Sequence, residues 1–162
     1  IKFIINRCGV ISGPLQFGKQ DQGFISLWIW HHINKKNLKY IGYGGHGNQL
    51  RDVLHINDLI DLLKKKINKF NQINNLTFTV GGSSKSFTSL RQLTKICENI
   101  SKNKINFSKK PKTSIYDIPY FITDNKKVSK IYAWVPKNDI NKIVFDIYKW
   151  MFANRKKLNK YL

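Results

Sequence analysis

Three glycines have a spacing that could bind a nucleotide. Gly42, Gly44 and Gly47 spell G-x-G-x-x-G in the stretch YIGYGGHGNQLRDVLH. A dinucleotide-binding turn of this kind leads directly into a helix and needs an acidic residue about 20 positions further on. Here the glycines precede NQLRDVLHI, which alternates like a strand, and the next strand, LTFTV, ends in Gly81 and Gly82 without an acid. We therefore interpret the glycines as a hairpin turn that needs positive φ values.

Arg51, just after this turn, is the second residue that could do chemistry. Only four of the 29 basic residues are arginines. The guanidinium of Arg51 could form a structural ion pair with its neighbour Asp52, or it could present two parallel donors to a diphosphate. The residues alone leave these two roles equally open.

The formal net charge of +20 comes from 29 basic and 9 acidic residues. Such a balance is typical of proteins that bind nucleic acid or an anionic membrane surface. The basic residues are mostly lysines scattered over every polar face, however, and Lys, Asn and Ile, which share A/T-rich codons, are all abundant. We therefore interpret most lysines as solvated surface. A nucleic-acid-binding module remains the less favoured alternative.

The remaining polar and apolar features predict a reduced, cytoplasmic protein without a metal site. No stretch approaches the ~18–20 apolar residues of a membrane span, and Cys8 and Cys97 are interpreted as reduced core thiols. His31 and His32 lack the spacing of a zinc motif, and His55 is predicted to be a packed or hydrogen-bonded histidine. The C-terminal segment IYKWMFANRKKLNKYL could alternatively be a basic amphipathic helix on a membrane surface.

Strands and helices are predicted to alternate, which is typical of an α/β fold. Apolar runs predict a buried strand over 2–11, and further strands over 38–41, 49–56, 76–82 and 105–107. Apolar residues at helical spacing predict helices over 24–33, from a cap at Asn57 or Asp58, over 87–100, after Asp124, and over 140–157. In the second helix the predicted apolar face is Leu59, Leu62, Leu63, Ile67 and Phe70.

Five segments of the chain, in order, resemble one known family. They are NRCGVISGPLQFGKQDQGF, YIGYGGHGNQLRDVLHINDL, FTVGGSSKSFTSLRQLTKIC, DIPYFITDNKKV and WVPKNDI. Together they resemble the C-terminal half of an extended short-chain dehydrogenase/reductase. The nearest match is the NAD-dependent nucleotide-sugar epimerases of the CDP-paratose 2-epimerase (CDP-tyvelose epimerase) type. The blocks F-G-x-x-D-Q-G at 17–23 and G-x-G-x-Q-x-R-D at 45–52 carry most of this resemblance, and the 4,6-dehydratases of the same superfamily are the alternative.

The resemblance implies a larger enzyme, of which this chain is a fragment folded as a single unit. Residues 1–35 and 57–82 would complete a Rossmann-like, NAD(P)-binding sheet, and residues 36–56 and 83–162 would form a small substrate-binding lobe. The family's NAD glycine turn and its Tyr-x-x-x-Lys pair are absent from the sequence, and we expect them in a preceding half or on a separate chain. The whole enzyme would be a homo-oligomer that transiently oxidises a sugar carbon with bound NAD. This chain alone would bind the nucleotide sugar and be inactive.

The resemblance also assigns roles to particular residues. Gly13 and Pro14 match the turn that passes the nicotinamide. The residues assigned to the nucleotide sugar are Gln16, Phe17, Asp21 and Gln22 on the sugar side, Tyr40 in the strand along the base, and Arg51 and Asp117 near the diphosphate. The match favours ligand binding over an ion pair with Asp52 for Arg51. Ser114 stands where the family usually has a second arginine, and Lys110 or Lys112 could replace that charge.

Overall fold

The computed structural model describes residues 1–19 and 22–162, which form a mixed α/β fold of eight strands and six helices. The strands are β1 (Ile4–Cys8), β2 (Val10–Ser12), β3 (Leu38–Ile41), β4 (Leu50–His55), β5 (Leu76–Val80), β6 (Phe87–Ser89), β7 (Phe107–Lys110) and β8 (Tyr120–Phe121). The helices are α1 (Phe24–Asn34), α2 (Ile56–Asn68), α3 (Leu90–Ser101), α4 (Lys126–Tyr132), α5 (Ile140–Ala153) and α6 (Arg155–Leu158). The predicted α/β class is confirmed.

Parallel pairing dominates the sheets. β1 pairs in parallel with β5, β2 with β4, and β3 with β7. β4 also pairs antiparallel with β6 and in parallel with the two residues of β8. The strand order therefore puts β4 in the middle of the molecule, with Arg51 at its start.

The glycine turn connects two sheets and is not a hairpin, because β3 pairs with β7 and β4 pairs with β2, β6 and β8. That part of the prediction is wrong. The expected positive φ values are present, at 79° for Gly42, 74° for Gly44 and 68° for Gly47. The turn changes the chain's direction from one sheet to the other, and residues with left-handed backbone geometry make that change without steric cost.

β4 separates two hydrophobic cores. The large core lies between α1, α3, α5 and β3, and its buried members are Ile25, Trp28, Ile29, Trp30, Ile33, Leu38, Val53, Leu93, Cys97, Ile143, Val144, Ile147, Met151 and Leu158. The small core lies between β5, α2 and α4, and its buried members are Leu54, Leu62, Phe78, Val80, Val128, Tyr132 and Trp134. Successive side chains of a strand point to opposite faces, so Val53 enters the large core and Leu54 the small one.

Burial on both faces explains why the predicted alternation of polar and apolar residues in β4 is wrong. The last four residues of the strand are all buried. α1 packs with α3 and α5, and α4 packs with β5. Elements assigned to the predicted cofactor sheet thus pack against elements assigned to the predicted substrate-binding lobe.

The second helix, α2, starts and packs differently from its prediction. His55, not Asn57 or Asp58, is its N-cap, and the His55 Nδ1 accepts the Asn57 N–H at 3.0 Å. On its inner face Lys66 is buried whereas Leu63 and Ile67 are exposed. The ammonium of Lys66 lies 4.2 Å from the centre of the Phe78 ring and donates to Asn6 Oδ1. An aromatic face and an amide oxygen compensate for burying this charge.

Other boundaries shift by a few residues. Residues 87–89 are a strand, and α3 begins after Ser89, whose side chain forms a capping box with Gln92. β7 starts at Phe107, later than predicted, and the last predicted helix is divided into α5 and α6. The apolar face of α5 is buried in the large core, so this part of the C-terminal segment is not an exposed membrane-binding face.

The first strand is less buried than predicted. Among the described residues β1 has one neighbouring strand, β5, and Phe3 and Ile5 are 46% and 48% exposed. Cys8 at the end of β1 is also exposed, whereas Cys97 is buried as predicted. In the part of the chain that the structure describes, no helix is long and apolar enough to cross a membrane.

Candidate functional site

A cavity of about 690 Å³ lies between α1, β3, the start of β4 and the loop that precedes β8. Its lining residues are Val10, Gln22, Gly23, Phe24, Leu27, Trp28, His31, Asn37, Leu38, Lys39, Ile41, Gly42, Gln49, Arg51, Leu90, Ser114 and Asp117. Binding sites for small organic molecules have this size and combine apolar walls with a few polar groups. The cavity is therefore the candidate functional site.

The middle of the cavity is apolar. Leu27 and Trp28 come from α1, and Leu38 and Ile41 come from β3. The Trp28 indole is fixed because its Nε1–H donates to Thr94 Oγ1 at 3.0 Å. These walls suit a flat ring with apolar faces.

His31, Asn37 and Lys39 form a polar end where β3 begins. The His31 Nδ1 lies 2.9 Å from the Asn37 carbonyl oxygen. Because a carbonyl only accepts, Nδ1 carries the proton in the neutral ring and Nε2 is an acceptor. Burial lowers the pKa of His31, which favours this neutral form. This end offers an ammonium donor from Lys39 and an imidazole.

Arg51 forms the other polar end, where β3 ends and β4 begins. Its Nη2 donates to Asp117 Oδ1 and to the Ile118 carbonyl, both at 2.6 Å, and its Nη1 donates to the Leu50 carbonyl at 2.8 Å. These three bonds hold the guanidinium at the cavity wall, where a charged ligand group would meet it. Because a guanidinium has five N–H groups, Arg51 keeps two donors beyond these bonds.

Asp52 points away from Arg51 because successive side chains of a strand alternate. It is fully buried, and its Oδ2 accepts the Ser83 N–H at 2.9 Å and the Thr123 hydroxyl. Asp52 therefore ties β4 to two neighbouring segments. The structural ion pair between Arg51 and Asp52 does not form, and within the described residues the carboxylate partner of Arg51 is Asp117.

Gly42 allows two side chains to approach each other at this end. Its φ is 79°, and a Cβ added to it would lie 3.3 Å from Gln49 Nε2 and 3.6 Å from Asp117 Oδ2. Gln49 Nε2 also donates to the Ile41 carbonyl at 2.6 Å. The glycine spacing of the sequence thus brings β3, Gln49 and Asp117 together.

The cavity includes some of the sequence-assigned residues and not others. Gln22, Arg51 and Asp117 line it, as does Ser114. Tyr40 lies in the large core, where its ring stacks on Phe107 at 4.7 Å and its hydroxyl is 2.7 Å from Thr94 Oγ1.

The other assigned residues lie outside the lining of the cavity. Gln16 folds back on Ser12, whose hydroxyl donates to it at 2.7 Å, and the Phe17 ring packs edge-on against Trp150 at 6.1 Å. Gly13 and Pro14 follow β2, and Gly13 packs against Ile56. The assignment of Asp21 falls outside the described residues.

Sequence reasoning missed most of the cavity wall. Trp28, His31, Asn37, Lys39 and Gln49 line it without having been singled out for this role. For Gln49 a signal existed: it is two residues before Arg51 in a strand-like stretch, and residues two apart share a face. For His31 no signal existed, because its position depends on how α1 packs beside β3.

The G-x-G-x-x-G turn does not fit a dinucleotide. The G-x-G-x-x-G turn leads into β4 and not into a helix, so no helix N-terminus faces the glycines, as pyrophosphate binding requires. Within residues 1–19 and 22–162 no tight glycine turn joins a strand directly to an α-helix. The interpretation of the glycines as something other than a cofactor turn is consistent with this geometry.

Parallel strand pairs with packed helices and a cavity beside the strand ends define an α/β protein with a Rossmann-like sheet. Residues 1–81 match the model of the NAD dependent epimerase/dehydratase family. The chain belongs to this family.

Solved structures with the same fold include epimerases, two of which were solved with a UDP-sugar. The UDP-glucose 4-epimerase of Thermotoga maritima, solved with UDP-glucose, is 19% identical with a TM-score of 0.76, over 98% of this chain and 47% of that one. The UDP-glucuronic acid 4-epimerase of Bacillus cereus, solved with UDP-glucuronic acid and NAD, is 21% identical with a TM-score of 0.77, over 93% and 45%. An epimerase of Methanothermobacter thermautotrophicus is 13% identical with a TM-score of 0.81, over 96% and 45%.

The chain spans about half the length of these structures. A search of the curated proteins gives no match. The structural similarity, at these identities, establishes the fold.

Proposed function

We propose that this chain is the nucleotide-sugar-binding half of an NAD-dependent epimerase. The observation that carries the proposal is the cavity with Arg51 at one end, held by Asp117 at 2.6 Å. A nucleotide sugar combines a flat base with a diphosphate, and the apolar middle and cationic end of the cavity match these two parts. The two N–H groups of Arg51 that its bonds to the protein do not use, one on Nε and one on Nη1, can each donate to a phosphate oxygen.

The direction of the ligand follows from the direction of β3. The strand begins at the polar end with His31 and Lys39 and ends beside Arg51. Five residues of extended chain from Asn37 to Gly42 cover ~16 Å. In the proposal the base lies along the start of β3 and the diphosphate lies at its end. Lys39 would then meet the polar edge of the base.

The other residues that the resemblance assigns to the site contact different parts of the ligand or position the strands around it in this proposal. Gln22 and Asp117 contact the ligand in the cavity, and Tyr40 positions β3 from the core side. Gln16, Phe17 and Asp21 belong to the region facing the transferred sugar, and Gly13 and Pro14 to the region facing the nicotinamide. Ser114, in place of a second arginine, leaves Arg51 as the main phosphate-binding side chain and weakens binding.

NAD is the family's redox cofactor. In the proposal, residues outside this cavity bind it. The open side of β1, with Phe3 and Ile5 exposed, is where a further parallel strand of a cofactor-binding half would pair. That half is either part of the same chain or a separate chain. The reaction of the complete enzyme is proposed to be epimerisation of the CDP-sugar type, with a 4,6-dehydratase as the alternative that uses the same binding site.

Calorimetric titration of the chain with UDP, CDP and UDP-glucose tests the proposal. We expect weak, one-to-one binding that Arg51→Ala reduces at least tenfold, with no epimerisation of UDP-glucose. The matched control is Arg91→Ala, which removes an exposed arginine outside the cavity and should leave binding unchanged. If Arg51→Ala and Arg91→Ala weaken binding equally, or if an unrelated polyanion binds as well as UDP, the proposal is wrong. Measured turnover by the isolated chain would contradict the expected inactivity.

A further inference from the structure

The hydrogen bonding of Gln49, a residue of the cavity wall, is incomplete among the described residues. It is 9% exposed and lines the cavity at the end that contains Arg51. Its Nε2 donates to the Ile41 carbonyl at 2.6 Å. Its Oε1 is buried and has no hydrogen-bond partner among the described residues.

The orientation of the Gln49 amide is fixed by this bond. The Ile41 carbonyl only accepts, so the amide nitrogen must face it, and a flipped amide would place two oxygens together. Oε1 is therefore an acceptor that the fold leaves unsatisfied. A buried acceptor without a donor is unfavourable and is normally satisfied by another group.

The surroundings of Gln49 identify the region of a ligand that would reach it. Gln49 and Arg51 are two residues apart in an extended segment, so their side chains leave the backbone on the same side. The position that a Gly42 Cβ would occupy is 3.3 Å from Gln49 Nε2 and 3.6 Å from Asp117 Oδ2, so the two side chains approach each other there. This end of the cavity therefore combines the Arg51 guanidinium with two oxygens that can only accept, Gln49 Oε1 and Asp117 Oδ2.

Sugar hydroxyls are the donors that a nucleotide sugar carries next to its diphosphate. Phosphate oxygens only accept and would be repelled by Gln49 Oε1, whereas a hydroxyl beside the phosphate can donate to it. We propose that Gln49 Oε1 accepts a hydrogen bond from a sugar hydroxyl adjacent to the diphosphate that Arg51 binds. This inference rests on the proposed function and adds a residue that reads hydroxyl groups. Both the ribose and the transferred sugar carry such a hydroxyl.

The test pairs a change in the protein with a change in the ligand. Wild-type chain and Gln49→Met are titrated with the diphosphate that binds more tightly, UDP or CDP, with its 2′-deoxy and 3′-deoxy forms, and with UDP-glucose. Methionine keeps the length of the side chain and removes both polar atoms. A combination of protein and ligand that lacks this one hydrogen bond is expected to have about tenfold lower affinity.

Two results support the proposal and identify the source of the hydroxyl. If it belongs to the ribose, wild type binds one deoxy form about tenfold more weakly than the parent diphosphate, and Gln49→Met binds the two equally. If it belongs to the transferred sugar, Gln49→Met weakens UDP-glucose about tenfold and binds the diphosphate and its deoxy forms as wild type does. In either case the effect appears only when the hydroxyl is present.

Other results overturn it. Equal weakening of every ligand by Gln49→Met means that the amide only positions β3 through Ile41, and no weakening of any ligand means that Oε1 does not meet the ligand. Absence of any nucleotide binding by wild type refutes the proposed function itself.

Discussion

Two groups of polar side chains, one on each side of β4, differ in their burial. On the side of the small core, Asp52, Asp58 and Lys66 are buried, and each has hydrogen-bond partners in the protein. On the side of the large core, Lys39, Arg51 and Asp117 line a cavity and stay partly exposed. The first group ties segments of the fold together, whereas the second is placed where a ligand can meet it.

Adjacent residues of one strand can therefore have separate roles. Arg51 and Asp52 are neighbours in sequence, but they face opposite sides of β4. If the two sides of β4 have these separate roles, substitutions on the small-core side alter the free energy of unfolding and leave ligand affinity unchanged. Changes at the cavity should do the reverse.

The largest effect on stability is expected for Asp52→Ala. The substitution leaves the Ser83 N–H and the Thr123 hydroxyl without their acceptor and opens a small space beside Gly9. One buried and one partly buried donor without partners predict a loss of about 3 kcal/mol in the free energy of unfolding, which urea denaturation measures. The nucleotide affinity of the folded fraction should not change.

Asp61→Ala is the matched control, because Asp61 is an exposed carboxylate 3.7 Å from Lys137. A surface pair of this kind contributes about 0–1 kcal/mol. If Asp52→Ala instead weakens nucleotide binding while stability is retained, the division between the two sides of β4 is wrong.

The second effect concerns affinity, through Arg51→Lys. Lysine keeps the charge but cannot form the bonds to Asp117, Ile118 and a phosphate together. We expect UDP or CDP affinity to fall about tenfold, with less than about 1 kcal/mol lost in the free energy of unfolding. Titration and urea denaturation of the same preparation measure both quantities. If the free energy of unfolding falls by more than the free energy of nucleotide binding, Arg51 has a structural role like that of Asp52.

Local parts of this site could be predicted from the sequence. β3 lies at the predicted residues, and the glycines have the expected positive φ values. Arg51 and Asp117 had been assigned to one ligand, by resemblance and not by spacing, and they lie in contact. Local backbone geometry and motif residues are sufficient for such predictions.

Properties that depend on distant segments could not be predicted. β4 is buried on both faces because the large core packs against one face, through Val53, and the small core against the other, through Leu54. Lys66 is buried because the Phe78 ring and Asn6 come from two other strands. No pattern within ten residues of Lys66 contains this information, and the apolar spacing of α2 favours Leu63 and Ile67 on its inner face.

The third effect is a pH dependence of the free energy of unfolding. It is expected for the buried cation Lys66 and not for Lys39 and Arg51 in the cavity wall. Burial lowers the pKa of Lys66 to about 8, below its value of about 10.4 in an unfolded chain. Between these values the unfolded state binds more protons, so this group makes the protein more stable as the pH rises through that range. Below about pH 8 both states are protonated, and the unfavourable burial is fully present.

Lys66→Met should remove that pH dependence. At pH 7 the variant is expected to be more stable by about 1 kcal/mol, because an apolar side chain replaces a buried charge. The difference should shrink or reverse by pH 10, as urea denaturation at the two values would show. The matched control is Lys65→Met on the exposed side of the same helix. A stability difference that does not vary with pH would mean that Lys66 is solvated.

The smallest effect is expected for Lys142→Ala, at an exposed ion pair on α5. The Lys142 Nζ donates to Asp146 Oδ1 at 2.5 Å, and Asp146 Oδ2 also lies 3.3 Å from His55 Nε2. A pair at i and i+4 on a helix surface contributes about 0.3–0.5 kcal/mol and is screened by salt. Denaturation at low salt and in 1 M salt should therefore show a small loss that disappears in high salt. A loss above about 1 kcal/mol that persists in 1 M salt would contradict this expectation. It would show that Asp146 also stabilises the start of α2, through its contact with His55.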